Sequence, residues 1–394
     1  KRMGIPRQRR RMETSTMRGV EEKGKSTTSS GWKKCLNPRG GRHLVFVLAA
    51  VIIVVYYIGF YNPQQLKWRI DENRRSKVVE EPKVSQKTQL AVLRNLTERR
   101  VHLLHSFCDS FGECFNVEQR YWTVGGKLMA QRMIAIRANS NLVLTMAQMI
   151  TPNVLSPSFL DPMHWRINQT LIVSVYNALQ AAAGFMFGSL SLSDRSARPQ
   201  RVLQIGLGGG ATTNFLALMP IRLSIDVVEL EPTVYEVAKK FFELTDDERV
   251  RVHIEDGVKY LERAEKNKSV YDSLLLDACT NDVRETVLCP SAVFREKDVI
   301  ENMSKVIGSS GVLSVNVFTS RDQAFQQEKI EGLYSKYFKK CFSLRFTLEQ
   351  KMLYCSNRDD FNWKENKLAI LDNLEDFDYS MRTNLRRLIS SLNN

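Results

Sequence analysis

The stretch "VLQIGLGGGATT", Val202 to Thr213, decides the fold of this chain. An apolar run breaks into the glycines Gly206, Gly208 and Gly210, and then into residues that can start a helix. Glycine lets the backbone turn sharply after a strand and lets a ligand approach the amides at the next helix's N-terminus. The pattern predicts a strand–loop–helix unit that holds a ligand, and a tight turn without a ligand is the alternative.

Strands and helices alternate from residue 200 onward. "RVLQIGL", "SIDVVEL", "VRVHIED", "YDSLLLDA" and "VLSVNVF" are typical of strands, and the segments between them are typical of helices. This βαβ rhythm predicts an α/β fold with a doubly wound, Rossmann-like parallel sheet, whose ligands bind at the carboxyl ends of the strands.

Three acidic residues follow three successive predicted strands. Glu229 lies 23 residues after Gly206, where a carboxylate can accept both ribose hydroxyls. Asp256, followed by Gly257, is placed to reach an adenine amino group, and Asp277 lies beside the reacting centre. A single acid here is more often a helix cap. Three together favour an adenosine-type cofactor, without choosing between NAD and S-adenosylmethionine.

These motifs resemble the spermidine-synthase-like class I methyltransferases, and most closely the C-terminal half of the enzymes that methylate translation elongation factor 1-alpha. The resemblance covers roughly residues 130–350, including "RMIAIRANSNLVLT", "DACTND" and "LCPSAVF". It implies S-adenosylmethionine as the cofactor. It places the three glycines at the methionine end, Glu229 on the ribose, and Asp256 with Gly257 at the adenine.

The chain departs from the aminopropyltransferase branch of the same superfamily. Gly209 stands where those enzymes typically carry an aspartate that grips the donor's amine. Their "DSSDP"-like loop appears as "DACTND", which keeps Asp277 but has its next acid at Asp282. A polyamine is a polycation and needs several carboxylates in its pocket. We therefore expect methyl transfer to an amine of a protein or a small molecule, with aminopropyl transfer and a non-catalytic scaffold as alternatives.

Asp277 is the candidate catalytic residue. Because an acceptor amine must be neutral, Asp277 could position it or take its proton; a capping role is the alternative. Cys279 and Cys289 flank the same loop, either as a disulfide or as unpaired buried thiols. His102, His105 and Cys108 have helix-face spacing, but no fourth ligand is nearby, so we expect an amphipathic turn and no metal.

The N-terminal region predicts a membrane anchor. Residues 1–43 carry 13 Lys/Arg against 3 Glu, so +10 of the total net charge of +14 lies there. With no nucleic-acid motif present, we interpret them as a cytoplasmic tail and expect no nucleic-acid partner. Leu44 to Tyr61 contains 18 residues without a charge, long enough for a single-pass helix across a thinner bilayer. A cleaved signal peptide and a buried core helix fit less well.

The expected topology is type II, with the catalytic domain in the lumen of the endoplasmic reticulum or Golgi. Sequons at Asn95, Asn168, Asn267 and Asn302 follow the anchor, which predicts a glycoprotein. Six of the seven cysteines also follow it, in three close pairs. Because S-adenosylmethionine is made in the cytosol, a cytoplasm-facing domain is the alternative.

The chain is thereby divided into a tail (1–43), an anchor (44–61), a stem (62–100), a β-rich lead-in (101–155), a methyltransferase-like domain (156–350) and a helical extension (351–394). Asn139-Ser140-Asn141 is predicted as a hairpin turn, and "WRINQTLIVSVYNALQAAAGFMF" as a helix beside the sheet. A homodimer is compatible with this organisation.

Overall fold

The computed structural model describes residues 83–193, 198–282, 284–381 and 383–392. The predicted tail, the anchor Leu44 to Tyr61 and the first part of the stem lie outside these residues. Within the described part of the chain, no helix combines the length and the apolar character that crossing a membrane requires.

The first part of the described chain is one helix and a five-stranded antiparallel sheet in the order β1-β2-β3-β4-β5. Helix α1 begins after Ser85, whose hydroxyl accepts a hydrogen bond from the Thr88 amide at 3.2 Å. The core of this part of the chain is aromatic and aliphatic, with Phe115, Ile134 and Trp165 all buried. The elements are α1 Gln86–Arg99, β1 Val101–Cys108, β2 Cys114–Val124, β3 Lys127–Ile136, β4 Asn139–Met149 and β5 Ile167–Ile172.

Three local predictions are wrong in this region. The hairpin turn is Arg137–Ala138, because Ile136 pairs with Asn139 and draws the three predicted turn residues into β4. The predicted helix is a strand over Ile167–Ile172, because pairing with β4 extends the sheet, and it becomes helical only at Val175. The His102–Cys108 segment is strand β1 rather than a helical turn, because it pairs with β2 along its length.

The second part is a mainly parallel eight-stranded sheet in the order β12-β13-β11-β9-β6-β7-β8, with β10 paired to β11. The predicted α/β alternation is confirmed. The elements are α2 Val175–Met186, β6 Gln200–Ile205, α3 Ala211–Ala217, β7 Leu223–Glu229, α4 Pro232–Phe242, β8 Val250–Ile254, α5 Gly257–Lys266, β9 Ser273–Leu276, β10 Val287–Cys289, α6 Lys297–Val306, β11 Val312–Thr319, α7 Gln323–Tyr334, β12 Lys340–Arg345 and β13 Gln350–Ser356.

The end of the chain belongs to the core. Strands β12 and β13 add an antiparallel edge to the sheet. Helices α8 (Trp363–Met381) and α9 (Leu385–Leu392) follow, and Leu374 and Phe377 of α8 are fully buried against α2 and α3. Residues 351–356 of the predicted helical extension are part of strand β13 instead, because they pair with β11 and β12. The helices α8 and α9 that follow pack on one face of the sheet.

The six cysteines of the described chain form three disulfides: Cys108–Cys114, Cys279–Cys289 and Cys341–Cys355. For Cys279 and Cys289, this decides between the two states that the sequence left open. Cys341 and Cys355 are directly opposite each other on β12 and β13.

Candidate functional site

The glycine loop joins β6 to α3 where the strand order reverses: β7 and β8 follow on one side of β6, and β9 lies on the other. Gly206, Gly208 and Gly210 all have positive φ, at 92°, 54° and 76°, where other residues are strained. A Cβ at Gly206 would lie 2.5 Å from the Asp277 carbonyl oxygen, and one at Gly208 would lie 2.6 Å from Thr145 Oγ1. The fold itself thus requires these glycines, and the other groups at the strand ends must identify the ligand.

Glu229 ends β7 and faces the glycine loop. Its two carboxylate oxygens accept hydrogen bonds from the amides of Leu207 and Glu231, each at 2.9 Å. Only 8% of the residue is exposed, and burial raises the pKa of the carboxyl. Each oxygen keeps a lone pair beyond its amide bond, so the side chain can still accept two hydroxyl groups. The next residue, Leu230, is 50% exposed and offers an apolar face beside this carboxylate.

Asp256 and Gly257 begin α5. The Asp256 carboxylate caps the helix by accepting from the Val258 amide at 2.8 Å. The capping interpretation therefore holds for one oxygen, while the side chain remains partly exposed. A Cβ at Gly257 would meet Ile205 at 2.9 Å and Phe294 at 3.0 Å, so close packing accounts for this glycine.

Asp277 follows β9 on the other side of the loop. Its amide donates to the Ile205 carbonyl at 2.9 Å, and its Oδ1 accepts from Asn316 Nδ2 at 2.8 Å. The residue keeps a partly exposed edge, and the atoms packed around its carboxyl raise its pKa to about 7, partly offset by the Asn316 hydrogen bond. Gln350 Nε2 in turn donates to Asn316 Oδ1 at 2.8 Å. Asp277 is therefore held in one orientation and can take up a proton near neutral pH.

Three site residues were missed by the sequence analysis. Thr145 of β4 accepts a hydrogen bond from the Gly209 amide at 2.7 Å, and Asn316 holds Asp277. Burial raises the pKa of the Tyr176 hydroxyl in α2, and the nearby Asp277 carboxylate raises it further. No local motif marks them, because each lies far along the chain from the site residue that it faces, Gly209 or Asp277.

The turn between β1 and β2 bridges the carboxyl ends of β7 and β9. Ser110 donates its amide and hydroxyl to Glu231, the amide at 3.1 Å, and Asp109 Oδ2 accepts from Asn281 Nδ2 at 3.2 Å. Strand β6 lies between β7 and β9, so the turn passes over the glycine loop. Phe111 at its tip is 76% exposed. A disulfide closes each of the two segments: Cys108–Cys114 closes the turn, and Cys279–Cys289 closes the loop that carries Asn281.

The two histidines that precede Cys108 in the sequence each pack against an aromatic ring. His102 packs on the edge of Tyr121, and His105 stacks on Phe241. His102 also lines an open cleft of about 580 Å³ with Arg99 and Lys240, away from the strand ends. In the described residues, no three metal-ligating side chains come together.

Comparisons with known proteins agree with this architecture. Residues 186–354 match the family model of the spermine/spermidine synthase domain. The resemblance found in the sequence is therefore confirmed for this part of the chain.

The similar curated proteins carry two kinds of name. An eEF1A lysine and N-terminal methyltransferase homolog of Drosophila melanogaster is 30% identical over 172 residues, which cover 42% of this chain and 25% of that protein. A polyamine aminopropyltransferase of Vibrio vulnificus is 32% identical over 123 residues, covering 31% of this chain and 39% of that protein. The chain thus spans well under half the length of these relatives.

Among solved structures, human methyltransferase-like protein 13 in complex with SAH is 24% identical, with a TM-score of 0.45. The match covers 53% of this chain and 92% of that one.

Proposed function

We propose that this chain is an S-adenosylmethionine-dependent methyltransferase whose acceptor is an amine of a protein or a small molecule. The observation that carries the proposal is the placement of Glu229 and Asp277 on opposite sides of one glycine loop. The loop lies at the crevice between β6 and β9, where the strand order reverses. Open α/β sheets bind their ligands at such a crevice. The names of the methyltransferase relatives support methyl transfer over hydride transfer.

The residues present fit the donor. Glu229 retains acceptor capacity for the two ribose hydroxyls, Leu230 offers an apolar surface to the purine, and Asp256 keeps one oxygen for its amino group. When bound, the donor supplies an activated methyl group on a sulfonium. The loop also keeps a donor on the methionine side, because the described contacts give the Gly208 amide no acceptor.

Asp277 performs the chemistry that the protein itself must supply. An amine acceptor arrives as an ammonium and must lose a proton before its nitrogen can attack. The Asp277 carboxylate takes that proton at Oδ2, because Oδ1 is held by Asn316. Asn316 holds the carboxylate in one orientation, and Tyr176 lies beside it. The acceptor is thereby aligned and partly desolvated.

The site offers less to a polyamine. A side chain at Gly209 would meet Thr145 Cγ2 at 2.6 Å, so no aspartate fits there. Asp282 is held by Arg284 at 2.7 Å, which lowers the pKa of its carboxyl to about 2 and neutralises its charge locally. Aminopropyl transfer is nevertheless the runner-up, because one relative carries that name.

Calorimetric titration of the full chain with S-adenosylmethionine, decarboxylated S-adenosylmethionine and NAD tests this assignment. We expect S-adenosylmethionine to bind at least tenfold more tightly than the other two, a difference of about 1.4 kcal/mol. Tighter binding of the decarboxylated donor would instead assign the chain to the aminopropyltransferases. If the folded chain binds none of the three, the scaffold alternative replaces the enzyme.

We further propose that the chain is a single-pass type II membrane protein with its catalytic domain in the secretory lumen. The three disulfides support this, because such bonds persist in oxidising compartments and are rare in the cytosol. The uncharged stretch Leu44 to Tyr61 supports the anchor. The cytoplasm-facing arrangement predicts that these cysteines remain reduced.

Glycosylation distinguishes the two topologies. Asn95 and Asn267 are exposed, whereas Asn302 lies in α6 beside Ser304, which is 9% exposed and donates to the Tyr337 carbonyl. In cells, we expect an endoglycosidase-sensitive gel shift that is reduced in the Asn95→Gln/Asn267→Gln double variant and lost when Asn168→Gln is added. The shift should be kept in Asn302→Gln. A chain that shows no shift would contradict the lumenal model.

A further inference from the structure

The amides of the glycine loop are almost all used within the protein. The Gly206 amide donates to the Val228 carbonyl and the Gly210 amide to the Leu207 carbonyl, each at 2.9 Å. The Leu207 amide donates to Glu229 at 2.9 Å. The Gly209 amide donates to the Thr145 hydroxyl at 2.7 Å. Thr145 therefore belongs to the hydrogen-bond network of the loop, although it lies on strand β4 of the antiparallel sheet.

The Thr145 hydroxyl has a proton left to give. Its oxygen accepts from Gly209, and the described contacts show no acceptor for its own O–H. The residue is 7% exposed, so this donor is almost completely buried. Together with the Gly208 amide, it makes this end of the loop a set of donors. Two donors that converge on one place favour a carboxylate over an ammonium there.

The methyl group of Thr145 has a separate effect. The backbone at Gly209 lies outside the left-handed region, so its conformation does not require glycine. A Cβ there would nevertheless lie 2.6 Å from Thr145 Cγ2 and 3.1 Å from the Phe242 ring. Thr145 thus closes the loop position at which, by the resemblance given above, the aminopropyltransferase branch carries its aspartate.

We propose that Thr145 determines donor specificity: its hydroxyl binds the α-carboxylate of S-adenosylmethionine, and its methyl group excludes the acid that a decarboxylated donor requires. The inference rests on the proposed methyl-donor site and names the residue that selects the donor there.

Three ligands and three variants test the proposal in the full chain by calorimetry. The ligands are S-adenosylmethionine, its decarboxylated form and 5′-methylthioadenosine, which keeps the nucleoside but lacks both amino-acid groups. Thr145→Val preserves the shape and removes the hydroxyl, and Thr145→Ala/Gly209→Asp opens the position and fills it with a carboxylate. Thr123→Val, at an exposed position of β2, controls for the same substitution in the same sheet.

Thr145→Val is expected to bind S-adenosylmethionine at least about tenfold more weakly, as for a lost hydrogen bond to a charged group, and 5′-methylthioadenosine within about twofold of the unmodified chain. The double variant should shift the affinity ratio toward the decarboxylated donor by at least about tenfold.

Equal weakening of S-adenosylmethionine and 5′-methylthioadenosine in Thr145→Val would show that Thr145 only holds the loop, and would overturn the proposal. Unchanged binding of S-adenosylmethionine would also overturn it while leaving the proposed function intact. Failure of the unmodified chain to bind S-adenosylmethionine would overturn the function itself, and the inference with it.

Discussion

Replacement of Asp277 by Asn is expected to lower the methyl-transfer rate by about 100- to 10,000-fold, the range that a positioned general base contributes. Asn keeps the size of the side chain and an oxygen that can accept from Asn316 Nδ2, now 2.8 Å away. The substitution therefore removes the charge and leaves the geometry. Donor binding, measured by calorimetry, should remain within about threefold of the unmodified chain.

The pH dependence of the rate follows from the same carboxyl. Its pKa is raised to about 7, and only the deprotonated form can accept a proton. The rate should therefore rise with pH through about 7 and level off above it. Asn316→Ala removes the hydrogen bond that lowers this pKa, so it should move the midpoint to higher pH.

Stability should change in the opposite sense. The folded-state pKa of Asp277 lies above its ordinary value of 3.8, so between these values the folded chain binds a proton that the unfolded chain does not. The free energy of unfolding then falls as pH rises from about 4 to about 7. Asp277→Asn should be more stable than the unmodified chain at pH 8 and similar to it near pH 4, as thermal unfolding would show.

Asp282→Asn is the matched control for Asp277, because it lies on the same loop, is partly exposed and is held by Arg284 at 2.7 Å. It should retain nearly full activity. The base assignment fails if Asp277→Asn keeps more than about a tenth of the rate, or if its rate still rises through the same pH.

Replacement of Glu229 by Ala is expected to weaken S-adenosylmethionine binding at least about 100-fold. Two hydrogen bonds from ribose hydroxyls to a carboxylate contribute about 1.5–3 kcal/mol each, and 1.4 kcal/mol corresponds to a factor of ten. The substitution also leaves the amides of Leu207 and Glu231 without their acceptor, so the loop itself loosens. Glu229→Gln, which keeps one acceptor oxygen, should have an intermediate effect.

A second buried acid on the same strand separates binding from folding. Asp226 is 3% exposed and contacts His253 at 3.1 Å and Arg251 at 3.2 Å, away from the glycine loop. Asp226→Asn should lower the unfolding temperature, because it leaves Arg251 without its buried counter-charge and weakens the contact with His253. Its donor affinity should be unchanged; an equal loss in both variants would attribute the Glu229 effect to the sheet.

The sequence predicted the parts of this fold that local signals define. Helix α5 lies in a segment predicted as helical, because its apolar residues recur at helical spacing after Asp256. The buried strands β6, β7 and β9 were found from apolar runs that end in glycine or acid. The three acids were found for the same reason, since parallel strands end at one edge of a sheet.

Long-range pairing decided what the sequence could not predict. The segment Ile167–Ile172 has a helical pattern, yet it pairs with β4 and is a strand. The His102–Cys108 segment is likewise a strand because β2 lies beside it. Thr145 lies 64 residues from Gly209, and Asn316 lies 39 residues from Asp277, so no motif contains both members of either pair.

The bridge over the glycine loop joins two covalent rings through weak contacts. The Asp109–Asn281 hydrogen bond connects a ring closed by Cys108–Cys114 to one closed by Cys279–Cys289. Breaking such a contact costs about 1 kcal/mol, whereas each ring keeps its shape through its own disulfide. Separating the two loops would break the Asp109–Asn281 and Ser110–Glu231 hydrogen bonds and leave both disulfides intact. In a reductant both loops would lose their covalent closure, and holding them in the same shape would then cost more conformational entropy.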